Sequence, residues 1–184
     1  MLKKVLILVL AFGLTLSFQV FAEVGAKGDS SATPDSAKES LPAAQSFDIN
    51  QSVIKQPLAE DVSADDAIDA LQSKAVELNM KLVAHQPLSK ELKARGEDAK
   101  RLEIFQFCNP SDAHKMVQFN PIFAAYMPCR IALVEDEKGK TWLMMLNLDI
   151  LINSTELPAD VKDIALRVND TLTQILEAGA SGDF

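Results

Sequence analysis

Two cysteines, two histidines and one capped turn carry most of the chemistry this 184-residue chain offers. Cys108 stands directly before Asn109-Pro110-Ser111-Asp112, and Cys129 follows Pro128. The cysteines support three readings. If the strand ending at Cys108 and the strand opening at Cys129 are antiparallel neighbours, their Cα atoms fall within the roughly 7 Å that a disulfide spans. Such a bridge would stabilise by about 3 kcal/mol in the chain-entropy model. The second reading is a reactive thiol, because a helix N-terminus lowers the pKa of a nearby cysteine. No C-x-x-C spacing accompanies it. The third is a metal site built on Cys108, His114 and Cys129. His85 would approach from another strand, and Met116 or Met127 would add soft sulfur for copper. None of these spacings is a zinc or copper pattern, and two histidines are ordinarily surface or core residues.

The capped turn has a separate use. Asn109 as N-cap, proline at the first helical position and Asp112 at the third announce a helix start. Where that N-terminus meets the end of a sheet, Asn109, Ser111 and Arg130 would form a site for a small anion or a carboxylate. Other chemistry finds no support. The chain has no G-x-S-x-G elbow, Walker A loop, G-x-G-x-x-G or H-E-x-x-H. Glu135-Asp136-Glu137 reads as a solvated turn, and the sequons at Asn153 and Asn169 are assigned nothing.

The elements that must position these residues begin after an address. Lys3 and Lys4 precede an apolar run from Val5 to Leu16, and Val20-Phe21-Ala22 places small residues at −1 and −3. That layout is a cleavable secretory signal over residues 1–22, with a run too short for a membrane span. It implies a periplasmic or secreted protein without stable membrane insertion, in an oxidising compartment. Residues 23–45 are rich in Ala, Ser, Asp, Lys, Gly and Pro, and read as a flexible spacer. Residues 46–184 then form one α+β domain. The whole chain has 18 Lys+Arg against 26 Asp+Glu. Removing the two lysines of the signal leaves 16 against 26, a net charge of −10. Such an acidic chain, poor in aromatics, is unsuited to nucleic acid. Docking to a basic protein partner is compatible with it.

Within the domain, Phe47-Asp48-Ile49-Asn50 alternates and predicts a strand to Ile54. Ser63 with Asp66 predicts a capping box before a helix from Ala64 to Asn79. Lys81–His85 predicts a second strand, Ser89–Arg101 a charged connection of at most two helical turns, and Leu102–Phe107 a third strand. After the helix at Pro110, Arg130–Glu135 and Thr141–Leu148 predict a hairpin turning at Glu137-Lys138-Gly139. Pro158 opens the last helix, with a stripe through Val161, Ile164, Val168, Leu172 and Ile175 and a stop at Gly179. The order β-α-β-β-α-β-β-α predicts a mostly antiparallel sheet with helices on one face. The third and fifth strands are apolar on both sides, so a partner subunit is expected over the other face, as a homodimer.

Two segments carry a resemblance. Glu103-Ile104-Phe105-Gln106-Phe107-Cys108-Asn109-Pro110, and Pro128-Cys129-Arg130-Ile131-Ala132-Leu133-Val134-Glu135-Asp136 followed by Gly139 and Trp142, resemble the domain of unknown function 302 family. Asp112-Ala113-His114 and Asn120-Pro121 also fit, and the likeness covers about Ser46 to Ala178. It implies an α+β domain similar to the sheet of the TATA-binding protein, often paired into a dimer. No activity comes with the family, so no catalytic residue is implied. The expectation is an exported, non-enzymatic binding or accessory module without a cofactor. The competing expectation is a thiol-redox or metal-handling protein using Cys108, Cys129 and His114.

Overall fold

The computed structural model describes residues 48–183. The expected export segment (1–22), the spacer (23–45) and the Phe47 start of the first strand lie outside the described residues. Asp48 diverts the chain that follows. Its side chain accepts from the Asn50 N–H at 2.9 Å, and Ile49–Ser52 close a 3-10 turn where a strand was expected. Local side-chain bonding of this kind competes with an extended ladder. Strand β1 therefore runs Val53–Pro57.

Helix α1 (Ala64–Glu77) starts as its sequence predicts. Ser63 Oγ accepts from the Asp66 N–H at 3.1 Å, and Asp66 Oδ2 accepts from the Ser63 N–H at 3.2 Å. Strand β2 (Lys81–Gln86) follows. The charged connection after it contains a two-turn helix, α2 (Leu88–Ala94). Ser89 anchors it, buried and donating from Oγ to the Leu102 carbonyl at 3.3 Å.

Strand β3 (Leu102–Cys108) alternates half-buried and fully buried residues along its length. Helix α3 (Pro110–Phe119) follows, then a 3-10 turn (Pro121–Tyr126) capped by Asn120. Strands β4 (Cys129–Glu135) and β5 (Thr141–Leu146) form the expected hairpin. Asp136 Oδ1 closes its turn by accepting from the Lys138 and Lys140 N–H groups, and Gly139 supplies the positive φ of 77°. The expected fifth strand ran on to Leu148, but Asn147 caps a short helix α4 (Leu148–Asn153) instead. Its Oδ1 accepts from the Asp149 N–H, so capping chemistry ends an apolar run that alternation would have continued.

Helix α5 (Ala159–Ser181) buries Val161, Ile164, Leu172, Ile175 and Leu176, the expected stripe. It does not stop at Gly179. The left-handed C-cap is Gly182, at φ 73°. Gly179 lies inside the helix, where an added Cβ would stand 2.6 Å from Leu71 Cδ2 and 2.9 Å from Leu143 Cδ1. A close approach of α5 to α1 and the sheet requires glycine there, not a turn.

The sheet has the order β1-β5-β4-β3-β2, and every neighbouring pair is antiparallel. The α+β fold with an antiparallel sheet and helices agrees with the sequence reading, with α2 and α4 added to the expected order. One sheet face carries Phe105, Phe107, Ile131, Leu133, Leu143 and Met145, packed against Ala67, Leu71 and Ala75 of α1 and Leu172, Ile175 and Leu176 of α5. The opposite face carries Leu102, Ile104, Ala132, Val134, Trp142 and Met144, half-buried by one another.

Candidate functional site

The end of the sheet where β3 closes and β4 opens is built by three local decisions of the chain. Asn109 turns β3 directly into α3, its Oδ1 accepting from the Ser111 and Asp112 N–H groups at 3.1 and 3.2 Å. Asn120 ends α3 and caps the 3-10 turn, accepting from the Ile122 N–H at 3.0 Å. The chain then re-enters the sheet at Cys129. Helix α4 and the first half of α5 close the remaining side, leaving a cavity of about 440 Å³.

Its walls are apolar: Phe107, Met116, Phe123, Ile152, Ile164 and Val168 line it. Phe119, Ile122, Tyr126 and Leu151 also line it and are exposed, so apolar side chains reach solvent around its opening. The polar lining is Asn109, Asp112, Asn120, Thr155 and Glu156, together with the two cysteines. No lysine, arginine or histidine is among the described residues that line it. Asp112 is already paired, its Oδ1 accepting from Arg167 Nη2 at 2.7 Å.

The expected site residues separate here. Cys108 and Cys129 both line the cavity. In place of the expected disulfide both are free thiols. In the strand register Cys129 stands opposite Phe107, so Cys108 is its diagonal neighbour and not its cross-strand partner. Neither thiol shows the lowering that a helix N-terminus would give. Burial pushes the Cys108 thiol up, and burial with the neighbouring Cys108 pushes Cys129 up to about 11. The N–H groups that would lower Cys108 are occupied by the Asn109 cap. His114 is exposed on α3 and does not line the cavity, so the set Cys108, His114 and Cys129 is not brought together. Among the described residues no three His, Cys, Asp or Glu side chains gather to hold a metal. Met116 and Met127 do line the cavity.

The expected anion site is likewise rearranged. Asn109 lines the cavity, but its Oδ1 serves α3 and its Nδ2 donates to the Asn79 carbonyl at 3.3 Å. Ser111 is exposed and does not line the cavity. Arg130 is exposed on the opposite sheet face, cross-strand from Gln106, beside a shallower groove with Ile104, Ala132 and Met144.

Sequence reasoning missed a second polar constellation. Glu103 is 1% exposed in the middle of the helix-facing register of β3. Its Oε2 lies 2.6 Å from His85 Nε2, and its Oε1 accepts from Arg101 Nε at 2.7 Å. Arg101 Nη2 reaches on to Asp65 Oδ1 at 2.5 Å, and the His85 ring stacks on Phe105 at 4.4 Å. Burial raises the Glu103 carboxyl, but the hydrogen bonds from Arg101 and His85 outweigh it and hold it below the usual carboxylate range. The available signal was an acid at the register position shared with Phe105 and Phe107.

No functionally curated protein matches the chain. The crystal structure of an uncharacterized conserved protein DUF302 from Bacillus stearothermophilus is similar in fold, with a TM-score of 0.58 and 19% sequence identity. The likeness covers 68% of this chain and 96% of that one. A family model described as domain of unknown function DUF302 matches residues 54–179, from β1 through most of α5. The two segments that form the sheet end, Glu103–Pro110 and Pro128–Asp136, fall within that match, and the chain belongs to the DUF302 family.

Proposed function

We propose that this protein is an exported, non-enzymatic binding module whose ligand occupies the cavity between the sheet end, α3, α4 and α5. The observation that carries this reading is the cavity itself. Its volume of about 440 Å³ falls in the range of small-molecule sites, roughly 300–1,000 Å³, and its lining is mostly apolar with a few polar groups. Asn109, Asn120 and Asp112 are engaged as caps or in an ion pair, which favours holding a molecule over transforming one. The secretory pattern of residues 1–22 supports export. The thiol-redox alternative loses physical support because burial raises both thiols, the reverse of what activates a cysteine.

We further propose that a second copy of the chain covers the open sheet face. Support comes from its continuous apolar residues, Leu102, Ile104, Ala132, Val134 and Met144 across three strands, which suit a self-complementary contact. The cavity reading is tested by titrating Nile red, a neutral apolar dye, into the protein and into Ala165→Trp. Ala165 lines the cavity from α5, so the larger side chain fills it. The expected outcome is saturable fluorescence enhancement that weakens on the order of tenfold or more in the variant, a loss of about 1.4 kcal/mol. Equal binding by both proteins, or none by the wild type, overturns the reading.

A further inference from the structure

We infer that the cavity selects an amphiphile with a cationic head, not a carboxylate or phosphate, an inference that rests on the binding reading above. The charges at the cavity decide the sign. Its lining contains two carboxylates, Asp112 and Glu156, and no lysine, arginine or histidine among the described residues. Arg167, which does not line the cavity, takes Asp112. Glu156 is exposed and forms no ion pair among the described residues, so it is the free charge at the opening. An anionic head would meet like charge with no guanidinium or ammonium to receive it. It would also find the first N–H groups of α3 taken by Asn109.

A cationic head finds two kinds of partner. Glu156 supplies a carboxylate, and the exposed rings of Phe119 and Tyr126 supply aromatic faces that attract cations. The apolar tail would lie against Met116, Ile164 and Val168. This arrangement also accounts for aromatic side chains kept exposed beside an otherwise apolar opening.

Three probes of equal chain length test the assignment: decyltrimethylammonium, decanol and decanoate, each competing with Nile red below its micelle concentration. The expected order is ammonium tighter than decanol by about three- to tenfold, the scale of one exposed ion pair plus a cation–π contact. Decanoate is expected to be weakest. Glu156→Gln should narrow the ammonium-to-decanol ratio to the share of the cation–π contact, about two- to fivefold, because it removes the exposed ion pair. Decanoate binding as tightly as the ammonium overturns the inference. So does an ammonium preference that survives both Glu156→Gln and Ala165→Trp, which would mark attraction to the acidic surface as a whole. Failure of all three probes and of Nile red overturns the binding reading instead, so the two failures are distinguishable.

Discussion

Glu103 places a carboxylate where the pattern of β3 calls for an apolar side chain, and His85 and Arg101 make that tolerable. Glutamine keeps one acceptor oxygen and puts an NH2 group at the other position, so Arg101 and His85 lose the charged acceptor they share. Glu103→Gln is expected to lower unfolding free energy by about 1.5–3 kcal/mol, the range for hydrogen bonds to charged groups. Urea melts at pH 7 measure it, and a change below about 0.5 kcal/mol would count against the network's role. The pH dependence follows from sign. The folded carboxyl lies below its unfolded value, so its stabilisation is complete above the unfolded pKa of about 4.3 and is lost as pH falls through the folded one. The wild type should therefore lose stability below about pH 4.3, and Glu103→Gln should flatten that part of the curve. The exposed Asp65 and the half-buried Asp136 are also held low, by Arg101 and by Trp142 respectively, so some acid dependence persists in the variant.

At the scale of elements, asparagine caps shape the cavity. Asn109, Asn120 and Asn147 start α3, the 3-10 turn and α4, and each segment forms a wall. Asn109 does the most, because it also donates to the Asn79 carbonyl and so ties α3 to the end of α1. Asn109→Ala should cost about 1–2 kcal/mol in a urea melt, as other N-cap losses do. It should also weaken Nile red binding by loosening the α3 wall. A destabilised variant that binds dye as the wild type does would separate the cap from the cavity. The sequence made Asn109 legible because proline and an acid follow it at the expected positions. Asn147 was not legible, since Leu146 and Leu148 flank it as strand residues would.

For the whole molecule, the sheet divides two surfaces of different character. The helix-facing side is closed by α1 and α5, which meet at Gly179. The open side keeps an apolar band and Trp142, whose ring lies under Lys55 and Lys140 and whose Nε1 donates to Asp136. Light scattering on the eluting protein should give twice the chain mass. Ile104→Glu, in the middle of that band, should return it to the monomer with its circular dichroism unchanged. A wild type that elutes at monomer mass would remove the second copy from the proposal.

Local chemistry determined much of this protein from sequence alone. Alternation located the strands of the hairpin and β3, the Ser63 and Asn109 caps began two helices, and the apolar stripe of α5 identified its buried face. These features depend on neighbours within a few residues, so they are written in the chain directly. Only the tertiary structure decided what depends on register and enclosure. The end of β3 and the start of β4 bring Cys108 and Cys129 to one cavity as free thiols, diagonal to each other in the register. The approach of α5 to Leu71 and Leu143 turned Gly179 from an expected stop into a packing residue. The cavity, the exposure of His114 and the burial of Glu103 arise from segments far apart in sequence, whose relative placement no local pattern encodes.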